Sequence, residues 1–196
     1  PFLVELAAHG GGLKPGQLLR ANRLKAYEKV ENGDWKFLMW DREAMKPKMP
    51  MGSAGDRWGT AKGKWNLVLK DGSDGSAIDP VLTFLDEGDG AAAVELDDFG
   101  QGKAIQREVP VRKIKTADGE TVLVATVYDL LMAQYGVPRG LKGYPKGYDD
   151  PDAPYTPAWS EKYTGLSRDV LIRFAREWGV TAEKTGGACT IIIGAG

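Results

Sequence analysis

The stretch from Tyr155 to Gly196 constrains the fold most, because its pattern is the most regular in the chain. Leu166, Val170, Phe174 and Trp178 recur every four residues, with Leu171 and Ala175 beside them. That spacing places one apolar face on a helix. Ser167 suits the N-cap, where its hydroxyl accepts from a free first-turn N–H. Asp169 follows where a negative charge suits the helix dipole. Gly179 is expected to end or weaken the helix, and Gly186-Gly187 to end the segment after it. Cys189-Thr190-Ile191-Ile192-Ile193 is β-branched at four of five positions and apolar without alternation from Ile191. A strand covered on both faces reads this way. Gly194-Ala195-Gly196 then lets the backbone turn sharply. A helix feeding a buried strand that ends in Gly-Ala-Gly is a unit of a doubly wound α/β sheet, where ligands sit beyond the carboxyl ends of the strands. On spacing alone, Gly194, Ala195 and Gly196 fit either a tight structural turn or a nucleotide-type site, since a single GxG discriminates poorly.

The middle of the chain has a different texture. Asn32-Gly33, Asp71-Gly72, Asp74-Gly75 and Asp118-Gly119 are turn dipeptides. Between them, Trp35–Trp40, Trp65–Leu69, Val81–Leu85, Val109–Ile114 and Thr121–Ala125 read as strands. The last two flank Thr116-Ala117-Asp118-Gly119 and form the clearest hairpin. Pro110 places its strand at an edge or a bulge. The acidic, glycine-rich run from Asp86 to Gly102 is expected to be mobile. Gln17–Val30 and Val127–Val137 are expected helices, the second with Leu130, Leu131 and Tyr135 facing inward; Pro157–Lys162 starts another. The fold class is therefore α/β: a helix-strand unit of a doubly wound sheet at the C-terminal end, with a strand-rich insertion. The expected division is a partly helical segment over 1–31, the insertion over 32–125 and an α/β part over 126–196.

Several function classes are excluded or disfavoured. The 196 residues carry 26 basic and 27 acidic side chains, a balance that asks for neither nucleic acid nor an anionic membrane. A single cysteine and a single histidine leave no disulfide framework and no self-contained His/Cys metal cluster. No apolar run reaches the length of a membrane span. His9-Gly10-Gly11-Gly12 lacks the Lys-Ser/Thr of a P-loop and reads as a loop. Asp149, Asp150 and Asp152 lack the spacing of a calcium loop and read as a solvated turn. The tryptophans Trp35, Trp40, Trp58 and Trp65 read as packing residues, because no basic stripe accompanies them. The chain opens at Pro1 on an apolar run and stops at Gly196 beside an expected strand, which predicts an interior piece of a larger protein.

Motifs along most of the chain carry a resemblance. They are DWKFLMWD, MGSAGDRWG, KGKWNLVLKDG, VPVRKIKTADGETVLVATVYDLLMAQYG, YDDPDAPYTPAWSEKYTGLSRDVLIRFAREWG, EKTGG and TIIIGAG. In this order they resemble the catalytic alpha subunits of respiratory membrane-bound nitrate reductases, in the molybdopterin oxidoreductase (dimethyl sulfoxide reductase) family. The likeness is weakest over residues 86–105. The resemblance implies a subunit with a molybdenum bis(molybdopterin guanine dinucleotide) and one [4Fe-4S] cluster. It implies nitrate reduction to nitrite by oxygen-atom transfer at molybdenum. It also implies an iron-sulfur beta subunit and a membrane haem gamma subunit as partners, in a membrane-associated complex at the cytoplasmic face with no membrane insertion by this chain.

The family's cluster ligands, one His and three Cys, and its molybdenum-ligating aspartate have no counterpart in this sequence. Catalytic and metal-ligating residues are therefore expected to be none, and the isolated fragment is expected to be inactive. The resemblance transfers only Gly194, Ala195 and Gly196, as the turn that approaches a pterin dinucleotide. Two rival readings belong beside it: a non-catalytic module that docks a partner subunit, and another molybdopterin oxidoreductase with a different substrate. A free-standing nucleotide-binding domain is disfavoured, since no acidic residue follows Gly196 to hold a ribose.

Overall fold

The computed structural model describes residues 1–51, 69–98, 102–192 and 194. Trp58 and most of the expected strand Trp65–Leu69 lie outside these residues. The chain forms two compact units, Pro1–Gln134 with Arg139–Gly143, and Tyr135–Pro138 with Tyr144–Gly196.

The first unit contains β1 (Leu3–His9), β2 (Gly12–Leu18), β3 (Met39–Asp41), β4 (Lys46–Lys48), β5 (Gly90–Asp97), β6 (Ala104–Lys115) and β7 (Thr121–Thr126), followed by α1 (Val127–Gln134). Five of the strands close into a barrel in the order β1-β2-β5-β6-β7. Neighbours in it run antiparallel except β2 and β5, which meet in parallel at Leu13 and Val94. β3 and β4 make a separate two-stranded ribbon. The class is mixed α/β, as expected; the five-stranded sheet is a closed barrel, and no doubly wound sheet is present among the described residues, at the C-terminal end or elsewhere. The difference arises from long-range pairing: β1 pairs with β7, Val4 opposite Ala125, which no local pattern announces.

Local chemistry explains the β1–β2 and β6–β7 turns. His9 and Gly12 pair across Gly10-Gly11, whose φ values of +55° and +86° are those of a type I′ hairpin. The glycine-rich run is therefore the β1–β2 turn. The β6–β7 hairpin is the expected one, with Lys115 opposite Thr121 and the Gly119 N–H donating to Thr116 O at 3.0 Å. Pro110 pairs with Ala91 of β5, while the β7 ladder begins only at Arg112. A residue without an N–H is tolerated where one flank is unpaired.

Several expectations change. Gln17–Val30 is no α-helix: β2 runs to Leu18, and two 3-10 turns follow at Ala21–Arg23 and Lys25–Tyr27. Only Met39–Asp41 of the tryptophan-flanked stretch is a strand. Val81–Leu85 is no strand; Val81 and Phe84 turn into the core together while Leu82 faces out. The run expected to be mobile holds β5, paired along its whole length with β6, because Val94 and Leu96 alternate inward among small residues. The core joins Leu3, Leu19, Leu38, Trp40, Met49, Val81, Phe84, Ile114 and Val124.

Two buried aspartates fix the loops above that core. Asp41 accepts from the backbone N–H groups of Asp79 (2.6 Å) and Ala44 (3.0 Å) and pairs with Lys48 at 3.1 Å. Asp71 accepts from Tyr27 Oη (2.5 Å), Met49 N (3.1 Å) and both donors of Ser73. Burial by itself would raise both carboxyl pKa values; these donors outweigh it and hold both below the ordinary carboxylate range. Burial and the neighbouring Asp71 push the Tyr27 phenol well above its usual value.

The second unit contains α2 (Pro157–Thr164) and α3 (Arg168–Lys184). Gly179 does not end α3, which continues five residues further to Lys184. One glycine costs an exposed helix only about 1 kcal/mol, and Gly186 and Gly187, both at positive φ, follow the true end.

Candidate functional site

Thr156 builds the start of the second unit. Its Oγ1 accepts from the Trp159 N–H at 3.1 Å and donates to Asp150 O at 2.6 Å, so it caps α2 and anchors the preceding loop. Pro157 occupies the first helical turn, where a missing N–H costs nothing. Gly165, at φ +70°, closes α2 in the left-handed region. Ser167 then caps α3 as expected, accepting from the Asp169 N–H at 3.3 Å. Arg168 reaches Asp149 at 3.2 Å and Glu161 at 3.9 Å.

The aspartate-rich connector is thus a turn tied to a helix. Asp150 accepts from the N–H groups of Asp152 and Ala153. Tyr155 holds φ +70°, rare for an aromatic residue. Its ring lies 5.4 Å from that of Tyr135 and 5.5 Å from that of Trp159, which in turn lies 4.7 Å from Tyr163. Beside this aromatic row runs a groove of about 830 Å³, walled by Val137, Tyr148, Tyr155, Leu171 and Ile172, with Arg176 at one side.

The expected binding turn stands differently from its prediction. Cys189–Ile192 is not a strand: Ile191 is 60% and Ile192 90% exposed. Ile193 lies outside the described residues; the β-branched side chains of Thr190–Ile192 suit a strand, but among the described residues no strand pairs with them. Gly194 lies outside any regular element, and a Cβ built there would meet nothing within 4 Å. Ala195 and Gly196 lie outside the described residues. The Cys189 thiol lies 4.0 Å from Trp178 O. Among the described residues, no group of His, Cys, Asp and Glu could hold a metal ion. No helix among them is long and apolar enough to cross a membrane.

Sequence reasoning missed the polar centre of the first unit. Asp129, fully buried, accepts from Thr83 Oγ1 (2.5 Å), Phe84 N (2.9 Å), Thr126 Oγ1 (2.9 Å) and Arg139 Nη1 (2.7 Å). Thr126-x-x-Asp129 is a capping pair, since Thr126 Oγ1 also accepts from the Asp129 N–H at 3.0 Å. That spacing was the available signal. It rotates α1 so that Asp129 and Ala133 turn inward, while Leu131 and Tyr135, expected inside, are exposed. Arg107, also buried, donates to the carbonyls of Ala133 and Gln134 and closes the other end of α1. The Asp129 carboxylate and the paired nitrogens of Arg107 are held by protein groups and read as scaffold.

No family model matches the chain. Individual proteins do, over its whole length. The respiratory nitrate reductase 1 alpha chain of Escherichia coli is 40% identical over 210 residues, covering 100% of this chain. The nitrate reductase alpha chain of Bacillus subtilis is 36% identical and the alpha subunit of Mycobacterium tuberculosis 39% identical, again over 100% of this chain. Along its whole length the chain is similar to nitrate reductase alpha chains. It spans only 16–17% of the length of these relatives. The match extends over both units.

Proposed function

We propose that this chain is a segment of the catalytic alpha subunit of a respiratory nitrate reductase, supplying scaffold and part of the cofactor pocket. The observation that carries the reading is the match over its entire length to alpha chains from three organisms at 36–40% identity. In the complete subunit, a molybdenum bis(molybdopterin guanine dinucleotide) supplies the oxygen-atom transfer that turns nitrate into nitrite, and one [4Fe-4S] cluster carries electrons. The proposed partners are an iron-sulfur beta subunit and a haem-bearing gamma subunit, in a complex at the cytoplasmic face of the membrane.

This segment holds neither metal centre in the proposal. Within residues 126–196, Gly194, Ala195 and Gly196 are the proposed contact with a pterin dinucleotide. Open space around Gly194 is compatible with close approach of such a group. Glycine at 194 and 196 leaves backbone N–H groups without a shielding side chain, free to bond ligand oxygens or ring nitrogens.

Gly194→Val in the holoenzyme tests the contact. The expected result is a clear loss of molybdenum and guanine content with little change in melting temperature. Full cofactor content with normal activity would place the turn away from the pterin and favour a purely structural turn.

A further inference from the structure

α3 carries more apolar surface than its own unit covers. At 3.6 residues per turn, Val170, Phe174, Trp178, Leu171, Ala182, Ala175 and Ile172 sweep an arc of about 200°. A helix packed on a single core needs an arc of only about 100°. In the second unit Leu171, Ile172 and Trp178 are half-buried, but Val170 is 44% and Phe174 56% exposed, and no residue of α3 is fully buried. Leu166 at the start of the stripe is likewise exposed, as are Ile191 and Ile192 beyond the helix. A helix of this length gains most of its stability from packing an amphipathic face. The apolar half-arc through Leu166, Val170 and Phe174 is therefore a contact face whose partner lies outside the second unit.

The relatives indicate the occupant. Each matches this chain along its full length yet has more than four-fifths of its own length elsewhere. We infer that the Leu166–Val170–Phe174 face is an internal interface of the alpha subunit, covered by an apolar layer from another part of the same polypeptide and not by a partner subunit. The inference rests on the alpha-subunit reading above. A face built into one polypeptide is buried as that polypeptide folds; a subunit-docking face stays wet until assembly.

Hydroxyl-radical labelling of the complete alpha chain separates these cases without any substitution. It is read on Val170 and Phe174 in the alpha chain alone and again in the assembled complex, with urea-unfolded alpha chain as the reference. The expected result is labelling several-fold below the unfolded reference already in the alpha chain alone, unchanged on assembly. Protection that appears only when the other subunits join would overturn the inference and make α3 a docking helix. Free labelling in both states would overturn it too. Phe174→Asp adds a second reading: an internal face predicts a lowered melting temperature of the alpha chain by itself, whereas a docking face predicts a normal melting temperature and lost assembly. None of these readouts depends on molybdenum content or nitrate turnover, so failure here is distinguishable from failure of the functional reading.

Discussion

Asp129→Ala is expected to destabilise the barrel unit by about 3–5 kcal/mol, the range for removing one partner of a buried ion pair. The carboxylate is fully buried and accepts four hydrogen bonds, one of them from Arg139 at 2.7 Å. The Arg139 side chain is only 12% exposed, and its Nε and Nη2 atoms are buried without hydrogen-bond partners among the described residues. Alanine would leave that cation with Thr83 Oγ1, at 3.1 Å, as its remaining acceptor. It would also strip the Phe84 N–H and the Thr126 hydroxyl of their acceptor. A loss of this size is a large part of the 5–15 kcal/mol that typically separates folded from unfolded domains. Denaturant melts of the purified protein measure it. Asp129→Leu combined with Arg139→Met should recover part of the loss, since an apolar pair replaces an ionic one without stranding a charge. A loss below about 1 kcal/mol for Asp129→Ala would contradict the account of this centre.

Phe84→Ala is expected to cost about 3–5 kcal/mol through lost transfer energy and the cavity left behind. Phe84 is fully buried and meets Trp40 edge-on at 6.0 Å between centroids. The Arg112 guanidinium lies 4.2 Å from the Trp40 ring centroid and 5.6 Å from that of Phe84, so the cavity would also disturb a buried cation packed on two rings. Leu82→Ala, two residues away at 48% exposure, should stay within about 0.5 kcal/mol of the parent. Equal losses at the two positions would mean that Val81–Leu85 packs as the alternating strand its sequence resembles, and not as a turn with Val81 and Phe84 inward.

The same five residues show where sequence reasoning stops. Val-Leu-Thr-Phe-Leu is rich in strand formers, yet its buried members are three apart, and Asp129 takes the Phe84 N–H that a strand neighbour would need. Elements fixed by neighbouring residues were legible. The Ser167 cap and four-residue period foretold α3, and Thr116–Gly119 foretold the β6–β7 hairpin. Elements fixed by distant residues were not. Barrel closure depends on Val4 meeting Ala125 and Leu13 meeting Val94, and no short window contains both halves of either pair. β5 reads as a mobile run because Asp and Gly surround the two inward residues that β6 covers. Period located α1 but could not say which of its faces the barrel would take; the Thr126–Asp129 capping pair and Arg139 decided that.

The proposed site was legible only in outline. Gly194-Ala195-Gly196 is a weak signal by spacing, and Thr190–Ile192 finds no strand to pair with among the described residues. The match to alpha chains extends over the whole length of the chain.

The central claim is that this segment serves a nitrate-reducing molybdenum subunit without carrying the chemistry itself. Nitrate-dependent oxidation of a reduced viologen dye tests it most directly, run in parallel on the complete alpha chain that contains the segment and on the segment of 196 residues alone. The account predicts turnover by the complete chain and none by the segment. Turnover by the segment alone, or a cofactor-loaded complete chain that leaves nitrate untouched, would contradict it.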